Sequence, residues 1–324
     1  MTERAQMAAA IGALLDGTLA GAEAVNFLAT QDIAKLTPAA LAGAVDAVIA
    51  RAVPFPAFPD AVDGCGTGGD GHATYNISTA AAIVVAARGI TVAKHGNRAV
   101  TSQSGSADVL EALGVRTNLT PVHAARMLEK IGIAFLFAPT FHPGFARVAP
   151  LRKAVGHRTI FNLLGPLCNP ARIKRQLIGV FAAEHCRLMA ETAALLGHTH
   201  LMAVHGEDGT DELSITGTTH ASTLAHGTIT YAAIRPQDAG LTPHPLSALI
   251  GGDAATNANA LRAVMEGATG AYADAVALNA AALLVIAEKA TNLHEGVMLA
   301  RGTIARGDAA RKLDELIEES HADG

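Results

Sequence analysis

The sequence predicts an α/β fold: a small N-terminal helical domain plus a larger α/β domain, with a central mixed, largely parallel sheet flanked by helices. Three observations carry this. Short apolar runs of strand length (residues 90–93, 133–137, 177–181 and 201–205) alternate with longer helix-like segments, the pattern of βαβ units. The first 53 residues show only helical patterning and end in a proline cluster, Pro54, Pro56 and Pro59. Half of the 324 residues are hydrophobic, ample for one large or two unequal domains.

In chain order, Thr37-Pro38 reads as a capped helix start, with Leu41, Val45, Val48 and Ile49 on one apolar stripe. Residues 54–60 then read either as a linker, which puts the helical domain at residues 1–60, or as a rigid loop within one domain. The stretch Asp63–Gly114 organises the rest. It holds two loops rich in glycine and small polar residues, Gly64–Thr74 and Lys94–Gly105, each leading into a helix. The first helix is expected to open at Ser78-Thr79 and the second near Ser106; Gly89 ends the first, and Ile90–Ala93 form a short buried strand between them. Thr120-Pro121 opens a helix closed by Gly132, and residues 133–137 form a buried strand.

Residues 138–175 are broken by Pro139, Pro143, Pro150, Pro166 and Pro170, and form the most basic part of the chain. Most of those charges read as solvated surface. Beyond them come a strand at 177–181, a helix at 183–196 and a strand at 201–205. Sequence rich in β-formers follows to residue 233, then helices at 260–266, 272–290, 293–306 and 309–319.

Charge and cysteine content exclude several classes. Lys plus Arg number 24 against 29 Asp plus Glu, a net charge of −5, so no global attraction draws the chain to nucleic acid or an anionic membrane. The three cysteines, Cys65, Cys168 and Cys186, are odd in number and lack C-x-x-C spacing, which suits a reducing compartment and implies no zinc site. The N-terminus lacks a signal-peptide layout. The longest apolar run, Ala275–Ala287, is too short to span a bilayer and contains Asn279, so a buried core helix and a cytoplasmic protein are expected.

The two loops point to an anion. Glycine lets the backbone approach a ligand closely, and a helix N-terminus presents partly positive N–H groups. Ser78, Thr79, Ser102, Ser104 and Ser106 add hydroxyls, and Lys94, His95, Asn97 and Arg98 bring charge and amide donors to a strand end, where open α/β sheets bind ligands. A polyphosphorylated small molecule is the expected ligand. Gly64, Gly66 and Gly69 also fit G-x-G-x-x-G, but the helix begins too late and the next strand ends in a basic pair, so a dinucleotide is excluded. Asp211 and Glu212, near Glu207 and Asp208, read on their own as a surface loop. With a diphosphate nearby, they become candidates for Mg²⁺. No nucleophile stands out, and no general base is assigned.

These residues fall into a recognisable order. Gly66–Asp70 (GTGGD), Asn76–Thr79 (NIST), Lys94–Arg98 (KHGNR), Ser104–Asp108 (SGSAD), Phe141-His142-Pro143, Arg152, Thr159–Pro170 and Val204–Glu212 match in order and spacing. Over nearly its whole length the chain resembles the anthranilate phosphoribosyltransferase family. The resemblance implies a nucleoside phosphorylase/phosphoribosyltransferase-like fold, in which residues of about 152–175 return to the helical domain while 61–151 and 176–324 build the α/β domain. It implies phosphoribosyl transfer from 5-phosphoribosyl diphosphate to anthranilate, in tryptophan biosynthesis, by a homodimer with Mg²⁺.

By the same resemblance, Gly66, Gly69, Asp70, Thr74, Asn76, Ile77, Ser78 and Thr79 hold the phosphoribosyl substrate. So do Lys94, His95, Gly96, Asn97, Arg98, Ala99, Val100, Thr101 and Ser102, together with Ser106. Gly66, Asn97 and Arg152 hold anthranilate, and Ser78, Asp211 and Glu212 serve Mg²⁺. The alternatives are a pyrimidine nucleoside phosphorylase-like enzyme, which needs inorganic phosphate, and a non-catalytic nucleic-acid-binding relative, which needs a basic face. An acidic chain with intact glycine loops speaks against the second.

Overall fold

A seven-stranded sheet of order β3-β2-β1-β4-β5-β6-β7 forms the centre of the computed structural model, which describes residues 1–69, 71–99 and 103–322. The chain begins with helices α1 (Glu3–Asp16), α2 (Gly21–Thr30) and α3 (Pro38–Ile49). The Thr37 hydroxyl caps α3 by accepting from Ala40 N, and Pro38 opens the helix as expected. Residues 54–60 carry no regular element but are tied down, Val53 N to Phe141 O at 2.8 Å and Phe58 N to Ala171 O at 2.8 Å.

The α/β body follows as β1 (Val62–Gly66), α4 (Ile77–Ala86), β2 (Val92–Gly96), α5 (Ser106–Ala112), α6 (Pro121–Ile131) and β3 (Ile133–Phe137). Next come α7 (Ala138–Phe141), α8 (Phe145–Val155), α9 (Phe161–Leu167), β4 (Arg175–Gly179), α10 (Glu184–Leu195), β5 (His200–Gly206), β6 (Thr219–Ala225) and β7 (Thr228–Ile234). The chain closes with α11 (Ala254–Met265), α12 (Ala271–Ile286), α13 (Leu293–Ala305) and α14 (Asp308–His321). None of the described helices is long and apolar enough to cross a membrane.

Strands β3, β2, β1, β4 and β5 pair in parallel, while β6 and β7 extend the sheet antiparallel. The mixed, largely parallel sheet is therefore as expected. Strand positions differ from the sequence reading in three places. Gly64 and Gly66 lie in β1 rather than in a loop, and β2 runs to Gly96, so Lys94 and His95 are strand residues. Strand β4 begins at Arg175, two residues early. Each shifted end is glycine or a charged residue inside a parallel sheet, where both faces are covered and side-chain alternation is weak.

The sheet separates two apolar cores. On one face α4, α6, α11, α12, α13 and α14 pack over Leu177, Met202 and Val204. On the other, α1–α3, α8, α9 and α10 pack over Ile178, Val180, Leu201 and Ala203, the alternate residues of the same strands. The N-terminal helices and residues 160–168 thus share one core with the sheet face through α10.

Candidate active site

Strand order reverses between β1 and β4, and Gly66 and Asp211 of the expected residues meet at the C-terminal ends of that pair. Gly66 and Gly179 are register partners at these ends, the switch-point position where open α/β sheets form a ligand crevice. Both glycines face the loop after β5. A Cβ on Gly66 would lie 2.0 Å from Asp211 Oδ2, and one on Gly179 would lie 1.5 Å from Asp211 O. Only glycine lets the Asp211 loop come this close. Asp211 Oδ2 then accepts from Gly68 N at 2.8 Å, which fixes the carboxylate against the first glycine turn. Gly68 and Gly69 take φ of +67° and +74°, the left-handed region that favours glycine.

Beyond this turn the chain is pinned before it enters α4: Tyr75 N donates to Leu249 O and Gly251 N to Ala73 O, at 3.0 and 2.7 Å. Thr74 bridges to Ile250. Asn76 precedes α4 without capping it by its side chain. Instead its amide donates to Ser104 O at 3.2 Å and accepts from Asn257 Nδ2 at 3.0 Å, joining the two loops. Helix α4 begins at Ile77, one residue earlier than expected, so Ser78 and Thr79 stand in the first turn, where unpaired amides suit an anion.

The second loop is built differently from the sequence reading. Lys94 is buried, and its Nζ donates to Gly64 O at 2.8 Å. Arg98 pairs with Asp108 at 3.1 Å and with Glu111 at 2.7 Å, and lies 5.6 Å from the Phe137 ring centre. Neither side chain is a bare cation at the loop. Both fasten the loop to neighbouring elements. Asp108 completes the fastening, with Oδ2 accepting from Ala99 N and Gly105 N, both at 2.9 Å. Burial opposes the ionised Asp108, yet these bonds and Arg98 hold its carboxyl below the usual range. Ser106 Oγ donates to Asn97 O at 3.1 Å, and a Cβ on Gly96 would lie 2.3 Å from that Oγ. Asp70, Val100, Thr101 and Ser102 lie outside the described residues.

His95 joins a row of rings rather than the loop surface. His95 and His142 are 5.4 Å apart between ring centres, His142 and Phe145 5.4 Å, and Phe145 and Phe161 5.7 Å. Arg152 ends the row, 6.0 Å from the Phe161 centre. Burial depresses both histidines, His142 to about 4. Arg152 is half-buried and its guanidinium is depressed by burial alone, with no carboxylate contributing. Such a guanidinium is a receptor for a carboxylate.

The metal candidates are brought near each other indirectly. Tyr272 on α12 donates to Asn76 O at 3.3 Å. Burial raises the Tyr272 phenol, and the nearby Glu212 charge adds to the rise, while Asp211 meets the glycine turn at Gly68 N. No group of three or more His, Cys, Asp or Glu poised for a metal occurs among the described residues. Two carboxylates and the Ser78 hydroxyl form an all-oxygen set, which fits a magnesium ion that also takes substrate phosphates and water.

Four residues have roles that the sequence reading did not give them. Arg158 donates to Gly69 O and stacks 4.0 Å from the Phe181 ring centre, tying residues near α9 to the first turn. Asn257, Asp108 and Asn279 act through partners distant in sequence. Only Asp108 carried a signal, three residues after a glycine N-cap.

The chain matches the family model described as "Glycosyl transferase family, a/b domain" over residues 58–310. The anthranilate phosphoribosyltransferase of Rhodopseudomonas palustris (strain TIE-1) is 51% identical over 282 residues, 87% of this chain and 83% of the relative. The crystal structure of anthranilate phosphoribosyltransferase from Thermus thermophilus matches with TM-score 0.94 at 40% identity, over 99% of this chain and 96% of that one. The Saccharomyces cerevisiae enzyme, solved in complex with PRPP and Mg, matches with TM-score 0.88 at 28% identity, over 99% and 94% of the two chains. These matches favour neither the nucleoside phosphorylase nor the nucleic-acid-binding alternative. With 51% identity to one relative and a TM-score of 0.94 to a solved member, the chain belongs to the anthranilate phosphoribosyltransferase family.

Proposed function

We propose that this chain transfers the phosphoribosyl group of 5-phosphoribosyl diphosphate to anthranilate. The products are N-(5-phosphoribosyl)anthranilate and pyrophosphate, and the reaction is a step of tryptophan biosynthesis. The observation that carries this reading is Asp211 lodged between Gly66, Gly68 and Gly179 at the β1–β4 switch point. There a diphosphate meets backbone donors and a metal-binding carboxylate together.

In this reading Gly66, Gly69, Asp70, Thr74 and Asn76–Thr79 seat the phosphoribosyl substrate from one side. The Lys94–Ser102 loop and Ser106 seat it from the other. Ser78, Asp211 and Glu212 hold Mg²⁺, which supplies neutralisation of the charge that builds on the departing diphosphate. Arg152 pairs with the anthranilate carboxylate, with Asn97 and Gly66 lining the same subsite. The amine lone pair bonds to the anomeric carbon while the bond from that carbon to the diphosphate oxygen breaks. Its electron pair leaves with pyrophosphate, and the nitrogen gives up one proton to water or to the departing pyrophosphate. The amine is neutral at pH 7, so the chain's work is positioning and charge stabilisation by fixed N–H donors.

The enzyme is a cytoplasmic homodimer in this reading, with residues 1–60 and about 152–175 forming the helical domain. Incubation with both substrates and Mg²⁺ should yield pyrophosphate and the fluorescent phosphoribosyl product in equal amounts. Pyrimidine nucleoside cleavage dependent on inorganic phosphate, without that product, would overturn the reading.

A further inference from the structure

Helix α12 is almost wholly apolar, yet it places Asn279 at its centre with no exposed surface. A buried amide costs stability unless bonded, and this one turns mainly to one neighbouring residue. Asn279 Oδ1 accepts from Leu213 N at 3.0 Å, and Nδ2 donates to Leu213 O at 3.0 Å and to Ala275 O at 3.0 Å. Asn279 therefore grips both backbone groups of the residue directly after Glu212.

The opposite flank of the loop is closed by Asp208. Its carboxylate accepts from Thr210 N and Oγ1 at 3.1 and 2.7 Å, and from Ser214 Oγ and Thr216 Oγ1, each at 2.6 Å. Asp211 and Glu212 thus sit between two anchors. Seven residues before Asn279, on the same face of α12, Tyr272 bonds the Asn76 carbonyl just before Ser78. One helix face therefore reaches both the serine side and the carboxylate side of the proposed metal site.

We propose that Asn279 is a positioning residue for the magnesium-binding carboxylates, holding Asp211 and Glu212 in register with Ser78 through α12. The inference rests on the metal role given above to Asp211 and Glu212. Losing a group that orients metal ligands weakens metal affinity about tenfold or more.

The test is the Mg²⁺ titration of turnover in Asn279→Leu beside Thr192→Val. Thr192 is a buried residue on α10 whose hydroxyl bonds Leu188 O at 2.7 Å, far from the metal in sequence and helix. Asn279→Leu should raise the Mg²⁺ half-saturation about tenfold, with the anthranilate KM at saturating Mg²⁺ unchanged. Thr192→Val should lower Tm without that shift. Equal, small shifts in both variants would overturn the proposal. If Asn279→Leu does not fold, hydrogen exchange on the wild-type protein decides. The Leu213 amide should be strongly protected without Mg²⁺, and rapid exchange there would overturn the proposal. Asp211→Asn separates the two readings. If it leaves the Mg²⁺ titration unchanged, the metal site itself falls and this inference with it; if it shifts the titration and Asn279→Leu does not, only this inference falls.

Discussion

Arg152 and Gly66 bear the most specific consequences at the scale of single residues. A charge-assisted bond to the anthranilate carboxylate contributes about 1.5–3 kcal/mol. Arg152→Ala should therefore raise the anthranilate KM about tenfold or more, leaving that for 5-phosphoribosyl diphosphate nearly unchanged. Steady-state kinetics with each substrate varied checks this, and equal effects on both would reject the assignment. At Gly66 a methyl group meets Asp211 Oδ2 at 2.0 Å. Gly66→Ala should push the carboxylate off Gly68 N and reduce kcat with a shifted Mg²⁺ optimum; wild-type metal dependence in this variant would argue against the packing account. The residue types at these positions were legible in the sequence, but their contacts were not. Gly68 and Asp211 are 143 residues apart, and nothing local shows that Lys94 turns its charge to a strand carbonyl or Arg98 to α5.

Among the elements, the second loop depends on α5 for its shape. Asp108 holds Ala99 N and Gly105 N together. In Asp108→Ala both amides lose their partner, at about 1–3 kcal/mol each where buried. The KM for 5-phosphoribosyl diphosphate should rise about tenfold and Tm should fall with it, because α5 is packed into the core through Ala107, Val109 and Leu110. Arg158→Ala should act on the first turn in the same direction, since its guanidinium holds the Gly69 carbonyl. Helix ends were readable wherever a cap is local, as at Thr37, Thr120, Gly132 and Gly197. Strands β1 and β4 were shifted or hidden because glycine and charge at a switch point obey the ligand crevice, not the alternation of a half-buried strand. Most of the basic residues from Arg147 to Arg175 read as solvated surface, but Arg158 reaches the glycine turn.

For the whole molecule, the two cores share the sheet, and buried histidines lie near its C-terminal edge. Unfolded, His142 titrates near 6.5; folded, burial pushes it down to about 4. Between those values the unfolded chain binds more protons, so stability falls as pH drops through the window. At pH 5 His142 alone costs about 2 kcal/mol. His95 shifts the same way, and the raised Asp63 carboxyl opposes both. Tm should fall between pH 7 and 5, and His142→Gln should flatten that slope; an unchanged slope would place the acid sensitivity elsewhere. The α/β class and the glycine loops were legible because each loop precedes its helix directly. The sharing of one core by the N-terminal helices and α10 was not, because α3 and α10 are far apart in the chain.

The most direct measurement is a crystal structure of this protein with 5-phosphoribosyl diphosphate, Mg²⁺ and an anthranilate analogue. Diphosphate density should lie between the Gly66–Gly69 turn and the first turn of α4, with the metal on Asp211 and Glu212. Density for the diphosphate away from the β1–β4 crevice, or a metal bound without those carboxylates, would contradict the account.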